Sequence, residues 1–234
     1  MRKLGLIGGM SWVSTGIYYD RINRIVQRRG PAMASAPLLI ESLDFSTLHG
    51  LRADNDWKHA AETLVASARR LSDAGAEGLL IGANSMHKVY DDVAAAVDIP
   101  ILHIAEYVGR ALAETNHKNV ALIGTRNVMT EGFYRKRLVA HGIDLLPPNM
   151  DNVETLDRII YDELMVGKVS RDAQRAMKTI ITNKAQEGAD AIVLACTELD
   201  LVVDTNANVL PVFDSTVIHC DAAADWILQH ELVS

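Results

Sequence analysis

Four landmarks recur at an almost fixed separation along the 234-residue chain. Gly8 and Gly124 each end an apolar run and stand 116 positions apart. Gly75 and Gly188, each followed by alanine, stand 113 apart, and so do Ala83 and Cys196. Pro100 and Pro211, each between aliphatic residues, stand 111 apart. A sequence that keeps its turn-forming residues in register over half its length encodes one structural plan twice.

Within each half, short apolar runs alternate with stretches of helical period. Strands are expected at Lys3–Ile7, Pro37–Leu43, Glu77–Gly82, Pro100–His103, Asn119–Gly124, Ile143–Leu146, Ala191–Ala195 and Leu210–Phe213. Helices are expected at Tyr18–Arg28, Trp57–Ala74, Val89–Val97, Ala105–Glu114, Thr130–His141, Val153–Met165, Arg171–Glu187 and Thr216–Gln229. In the second of these, Leu64, Ala68 and Leu71 share one face, and Gly75 is placed to cap its end. Strands alternating with helices imply parallel pairing and right-handed crossovers. The expected fold is α/β, with two similar lobes of parallel-rich sheets flanked by helices. If the lobes are related by a pseudo-two-fold, the tips at 83–85 and 196–198 confront one another across a cleft, the favoured place for a ligand.

Composition narrows the function. Hydrophobic residues make up 49% of the chain, the net charge is −7, and aromatics are 5%. With no basic run and few aromatics, no nucleic-acid partner is expected. Two distant cysteines, Cys196 and Cys220, give neither a disulfide framework nor metal spacing. A reducing cytoplasm is the expected location. The apolar start is short and broken by Gly5, Gly8 and Gly9, unlike a signal peptide. No apolar run reaches the roughly 18 residues of a membrane span.

The run Ile192-Val193-Leu194-Ala195 ends in Cys196-Thr197-Glu198. A buried strand here would present a thiol at its carboxyl end, where open α/β sheets bind ligands. A cysteine is also among the most buried residue types, so packing alone is the favoured reading of Cys196 until the repeat is considered, and the functional one after it. Opposed acid and base groups at two such tips suit racemisation, one removing the α-proton and the other returning it on the opposite face. Ser11, Asn84, Ser85, Thr125 and Thr197 would steady the charge that moves onto the α-carboxylate. Nearby donors would lower the pKa of the thiol that serves as base. The His residues do not cluster at metal spacing, so no metal is expected.

The segments Ile7-Gly8-Gly9-Met10-Ser11-Trp12, Ala83-Asn84-Ser85-Met86-His87-Lys88, Leu122-Ile123-Gly124-Thr125, Cys196-Thr197-Glu198 and Leu210-Pro211-Val212-Phe213-Asp214-Ser215 together resemble the aspartate/glutamate racemase family. The resemblance spans nearly the whole chain and is nearest the bacterial branch acting on acidic or broader amino acids. It implies catalysis without pyridoxal phosphate or any other cofactor, a small-molecule amino acid as substrate, and a homodimer. It also implies a first lobe of residues 1–98 plus 209–234, the last strand and helix returning to complete it, and a second lobe of 99–208. Cys196 falls on the second catalytic cysteine of that family. Asn84, Ser85, Thr125 and Thr197 fall on positions that cradle the α-amino and α-carboxylate groups, and Met10 and Ser11 on the first substrate loop.

Ala83 falls on the first catalytic cysteine, and alanine has no proton to give or take. Four accounts of it stand. Ala83 is an engineered substitution that traps a complex; or the native protein is a one-thiol enzyme favouring one enantiomer; or the single thiol serves a decarboxylation; or the protein binds amino acids without turnover. Val13 also stands where related sequences carry an acidic residue.

Other candidates carry competing readings. His87, four residues past Ala83, orients the tip or substitutes as an acid, or merely packs. Glu198 orients the base or binds the substrate amino group, or is a carboxylate favoured at a helix start. Arg52 and Lys168 are candidates for a distal carboxylate, against ordinary solvation. Asp214 is expected to cap the last helix, His219 flanks it, and Cys220 is expected to pack.

Overall fold

The structure, a computed structural model, describes residues 1–48, 56–205 and 207–229. It forms two compact units, Met1–His103 with 219–234 and Ile104–Ile218.

The first unit holds the parallel strands β1 (Leu4–Gly8), β2 (Leu38–Ser42), β3 (Gly78–Ile81) and β4 (Ile101–Leu102), ordered β2-β1-β3-β4. The second holds β5 (Asn119–Gly124), β6 (Asp144–Leu145), β7 (Ala191–Ala195) and β8 (Val212–Asp214), ordered β6-β5-β7-β8. All pairings are parallel. The two orders are the same plan.

The repeat holds at the level of single hydrogen bonds. Glu77 donates its N–H to Lys3 and Asp190 donates to Asn119, each at 2.8 Å. Leu79 donates to Pro100 at 2.9 Å and Ile192 donates to Pro211 at 3.0 Å. Gly75 and Gly188 adopt φ of +91° and +95°, the left-handed conformation that ends a helix and that glycine enters without a Cβ clash.

Helices fill the crossovers. In the first unit these are α1 (Trp12–Arg29), α2 (Trp57–Asp73) and α3 (Tyr90–Ala94). In the second they are α4 (Ile104–Ala113), α5 (Arg126–Thr130), α6 (Gly132–Ala140), α7 (Met150–Asp162) and α8 (Arg171–Gln186). The last helix, α9 (Ser215–Leu228), begins in the second unit and runs into the first. Side-chain caps start several of them: Ser11 accepts from Ser14 N–H, Asp56 from His59, Asn149 from Asn152, and Ser170 from Ala173. Each cap removes one orphan donor and is worth about 1 kcal/mol.

Both central strands are buried on both faces, as parallel strands under helices must be. Along β7 the side chains alternate: Ala191, Val193 and Ala195 pack with Val108, Leu112 and Leu138, while Ile192 and Leu194 pack with Leu156, Ile159 and Ile180. Cys196 continues the second set. In β3, Leu79 and Ile81 pack with Leu64, Ala68 and Leu71 of α2, and Ala83 continues that set. Ala83 and Cys196 therefore occupy the same place in two copies of one sheet, each facing the sheet's long second crossover helix.

Three expectations shift. β8 pairs with β7, Ile192 opposite Val212 and Val193 opposite Phe213, so the last strand stays with the second unit and only α9 returns to the first. Its register is fixed by Pro211, whose carbonyl accepts from Ile192. α1 begins at Trp12 rather than Tyr18, because Ser11 caps it. The helix expected over Thr130–His141 is α6, Gly132–Ala140, and Glu131, extended at φ −97° and ψ 163°, divides it from the separate short helix α5. Among the described residues, no helix is long and apolar enough to cross a membrane.

Candidate active site

The β7 tip is built around one carboxylate oxygen. β7 leads into a tight 3₁₀ turn, Thr197–Leu201, preceded by Cys196 in extended conformation. That turn folds Glu198 back, and only 3% of the residue is exposed. Its Oε2 accepts from the Cys196 thiol at 3.2 Å and from the Thr197 hydroxyl at 2.7 Å. Cys196 is 9% exposed. Burial, and then the Glu198 charge, push its pKa well above the ordinary thiol value. The expectation of a depressed thiol pKa is therefore corrected. The nearest charge is negative, and a like charge disfavours ionisation as burial does. In this state Cys196 is a proton-bearing thiol. The hydroxyl of Thr197, a residue expected to cradle the substrate, donates to Glu198.

Beside this tip lies the end of β5. Gly124 is paired with Ala195, so Thr125 and Cys196 leave adjacent strands in the same register, about one strand spacing apart. A Cβ on Gly124 would meet the Ala195 carbonyl oxygen at 2.6 Å. That close approach explains the glycine. Thr125 is 8% exposed, and its hydroxyl is buried without a hydrogen-bond partner. Such a group costs about 1–3 kcal/mol, a deficit that a ligand can relieve. The following residue, Arg126, is tied down by Asp157 of α7, which accepts its backbone N–H at 3.0 Å. Nothing in the sequence marks Asp157, because its partner lies 31 residues away.

In the first unit the β3 tip carries the matching place. Asn84 is 5% exposed, and both atoms of its amide are buried without a partner. Ala83 offers only a backbone carbonyl, which accepts from His87 Nδ1 at 2.9 Å. A carbonyl only accepts, so Nδ1 carries the proton. His87 thus fixes the turn at the tip. Ser85, half-buried, opens the 3₁₀ turn Ser85–Val89. Met10 and Ser11 are buried at the β1 tip. Gly9 there has φ +79°, and its N–H is held by Thr15 Oγ1 at 2.7 Å.

Behind the β3 tip lies a buried imidazole cluster that no spacing along the chain marks. The His87 and His103 rings lie 4.5 Å apart, His87 and His219 6.0 Å, and Tyr90 and His103 4.6 Å. Among the described residues no group of His, Cys, Asp and Glu could hold a metal ion. Of the remaining candidates, Lys168 is exposed, two residues beyond a turn (Leu164–Val166) that packs against Thr197–Leu201. Arg52 lies outside the described residues. Asp214 caps α9 by accepting from Thr216 and Val217 N–H at 2.7 and 3.1 Å, as expected. Cys220 is wholly buried in α9.

Two sheets of one plan, each ending in a small buried residue beside an orphan polar side chain, find their counterpart in known proteins. Residues 7–223 match the Asp/Glu/hydantoin racemase family. The chain belongs to that family. The broad specificity amino-acid racemase RacX of Bacillus subtilis (strain 168) is 22% identical over 233 residues, covering 97% of this chain and 99% of RacX. A Yersinia pestis crystal structure, provisionally assigned as an Asp/Glu racemase, is 41% identical with a TM-score of 0.89, covering 98% of this chain and all of that one. PH1733, an aspartate racemase homologue from Pyrococcus horikoshii OT3, is 31% identical with a TM-score of 0.81, covering 97% and 99% of the two chains. The α/β fold with parallel sheets flanked by helices is that of Asp/Glu racemases. Against this family background, Ala83 is the feature that calls for a chemical account.

Proposed function

We propose that this protein is a cofactor-free isomerase-type enzyme that moves the α-proton of an aspartate- or glutamate-like amino acid, with Cys196 as its single thiol. The observation that carries the proposal is the β7 tip: a thiol hydrogen-bonded to a buried carboxylate, on the strand paired with the one that ends in Thr125, whose buried hydroxyl has no partner.

Cys196, as thiolate, takes the α-proton; an S–H bond forms, the Cα–H bond breaks, and the electron pair spreads onto the α-carboxylate. Thr125 and Asn84, both buried with unmet hydrogen bonds, supply donors for that growing charge. Met10, Ser11 and Ser85 line the carboxylate's surroundings, and Thr197 holds Glu198 toward the amino group. Lys168, with Arg52, is assigned to the distal carboxylate of an acidic substrate. The working form is a homodimer in the cytoplasm, with no pyridoxal phosphate.

With alanine at position 83 the second proton donor is missing, so exchange at one face outpaces inversion. The test is proton NMR of each enantiomer of aspartate and glutamate in deuterated water. The expected result is loss of the α-proton signal of one enantiomer, abolished in Cys196→Ser. Tight amino-acid binding with no exchange, before or after Ala83→Cys, would instead make the protein a binder. Release of CO₂ from a malonate-type acid would make it a decarboxylase.

A further inference from the structure

A thiol that carries its proton at rest is a poor base, and the β7 tip contains the means to change that. The thiol and the Thr197 hydroxyl both spend their protons on one oxygen of Glu198. The carboxylate thereby stabilises the S–H form directly. It also adds a negative charge next to the place where a second one would have to form. An amino acid brings to this tip a group of the opposite sign.

We propose that Glu198 is a substrate-operated switch for Cys196: alone it holds the sulfur as a thiol, and once paired with the ammonium group of the bound amino acid it releases that thiol to ionise. The inference rests on the function proposed above and deepens it. The base then exists only when there is an α-proton for it to take.

The proton balance is simple. The S–H bond breaks with its electron pair left on Sγ, and the proton passes to solvent water. The ammonium group stays paired to Glu198, and nothing is oxidised or reduced. The thiolate then accepts the α-proton, and the thiol is restored.

Two observations beyond the shared oxygen support the switch. Thr125, in register beside Cys196, has a buried hydroxyl with no partner, which marks this tip as completed by a polar ligand. The thiol is held protonated by burial first and by the Glu198 charge second, so cancelling that charge removes part of what holds the proton on the sulfur. The charges around the thiol are few. Asp200, in the same turn, adds a weaker push in the same direction. Asp214, ending β8 beside β7, is committed to capping α9. Arg126 is paired with Asp157. The packed turn Leu164–Val166 is apolar, and Lys168 beyond it is exposed.

The test reads the ultraviolet absorbance of the thiolate, with Cys196→Ser as the blank. The probe is whichever of aspartate or glutamate undergoes α-proton exchange, compared with its analogue lacking the amine, succinate or glutarate. At a fixed pH below the thiol midpoint, the amino acid should raise the thiolate signal about tenfold, and the deaminated acid should not. Glu198→Gln should show raised thiolate without ligand and no further response to the amino acid. Glu198→Asp, which keeps the charge, should retain a response. Equal effects of the amino acid and its deaminated analogue would overturn the switch, as would an undiminished response in Glu198→Gln. Exchange by the wild type without any thiolate signal overturns the switch and leaves the proposed function standing. Absence of exchange with every probe removes the proposed function and the switch with it.

Discussion

Cys196 Sγ donates to Glu198 Oε2 across 3.2 Å inside the second unit, and burial together with that carboxylate keeps the sulfur protonated. It has a consequence for stability. Burial and the neighbouring carboxylate raise the folded thiol's pKa, whereas an unfolded cysteine ionises near pH 8.5. Above about pH 8.5 the unfolded chain therefore releases a proton that the folded chain retains, and the folded state loses ground. Urea unfolding between pH 8 and 10 should show a steeper loss of stability for the wild type than for Cys196→Ser. Parallel slopes would contradict it.

His219 should act at the other end of the pH scale. Its Nε2 lies 2.8 Å from the Leu102 carbonyl, so Nε2 bears the proton, and Nδ1 accepts from the Tyr18 hydroxyl at 2.9 Å. Burial lowers its pKa from 6.5 to about 4. A histidine depressed on folding stabilises the protein fully above its unfolded pKa, and that stability drains away as pH falls toward the folded value. The loss between about pH 6.5 and 4 should be on the order of 3 kcal/mol. His219→Gln should flatten the stability profile in that window. Tyr18→Phe should cost about 1–3 kcal/mol by leaving Nδ1 without its donor.

Asn84 separates function from stability. Its amide is buried with nothing to bond to, so the folded protein carries its desolvation cost without return. Asn84→Ala should leave thermal stability unchanged or slightly raised, while amino-acid affinity falls at least about tenfold, the effect of losing a hydrogen bond worth ~1.4 kcal/mol. Calorimetry of unfolding and of ligand titration reads the two effects independently. A large destabilisation with unchanged affinity would assign Asn84 to structure.

Gly124→Ala tests how closely the two strand ends must approach. The new methyl would sit 2.6 Å from the Ala195 carbonyl oxygen, which is backbone and cannot swing away. The expected cost is about 1–3 kcal/mol, with α-proton exchange reduced further than stability alone explains, because the strand that moves carries Cys196. Urea unfolding and exchange rates on the same samples check this.

Much of this was legible in the sequence because the duplication is written in turn residues. Gly75 and Gly188 reveal both helix ends, and Pro100 and Pro211 both outer strands. A left-handed cap and a missing N–H constrain the backbone wherever they occur. The placing of β8 was not legible: its apolar residues suit either sheet, and only the pairing of Val212 with Ile192 decides between them. The state of Cys196 was hidden for a different reason. Glu198 is visible two residues away, but the burial of the sulfur and the 3₁₀ turn that folds the carboxylate onto it, which together reverse the expected pKa shift, are matters of tertiary and local geometry. The imidazole cluster joins His87, His103 and His219 over distances that no spacing rule connects.

The account stands or falls on Cys196 as the single exchanging thiol, with an inert alanine at position 83. Chiral chromatography of the amino acid recovered after incubation in deuterated water, wild type against Ala83→Cys, measures it directly. The wild type should return deuterated amino acid of mostly unchanged configuration, and Ala83→Cys should convert it to a mixture of both enantiomers. Equal inversion by the two proteins, or deuteration that survives Cys196→Ser, would contradict the account.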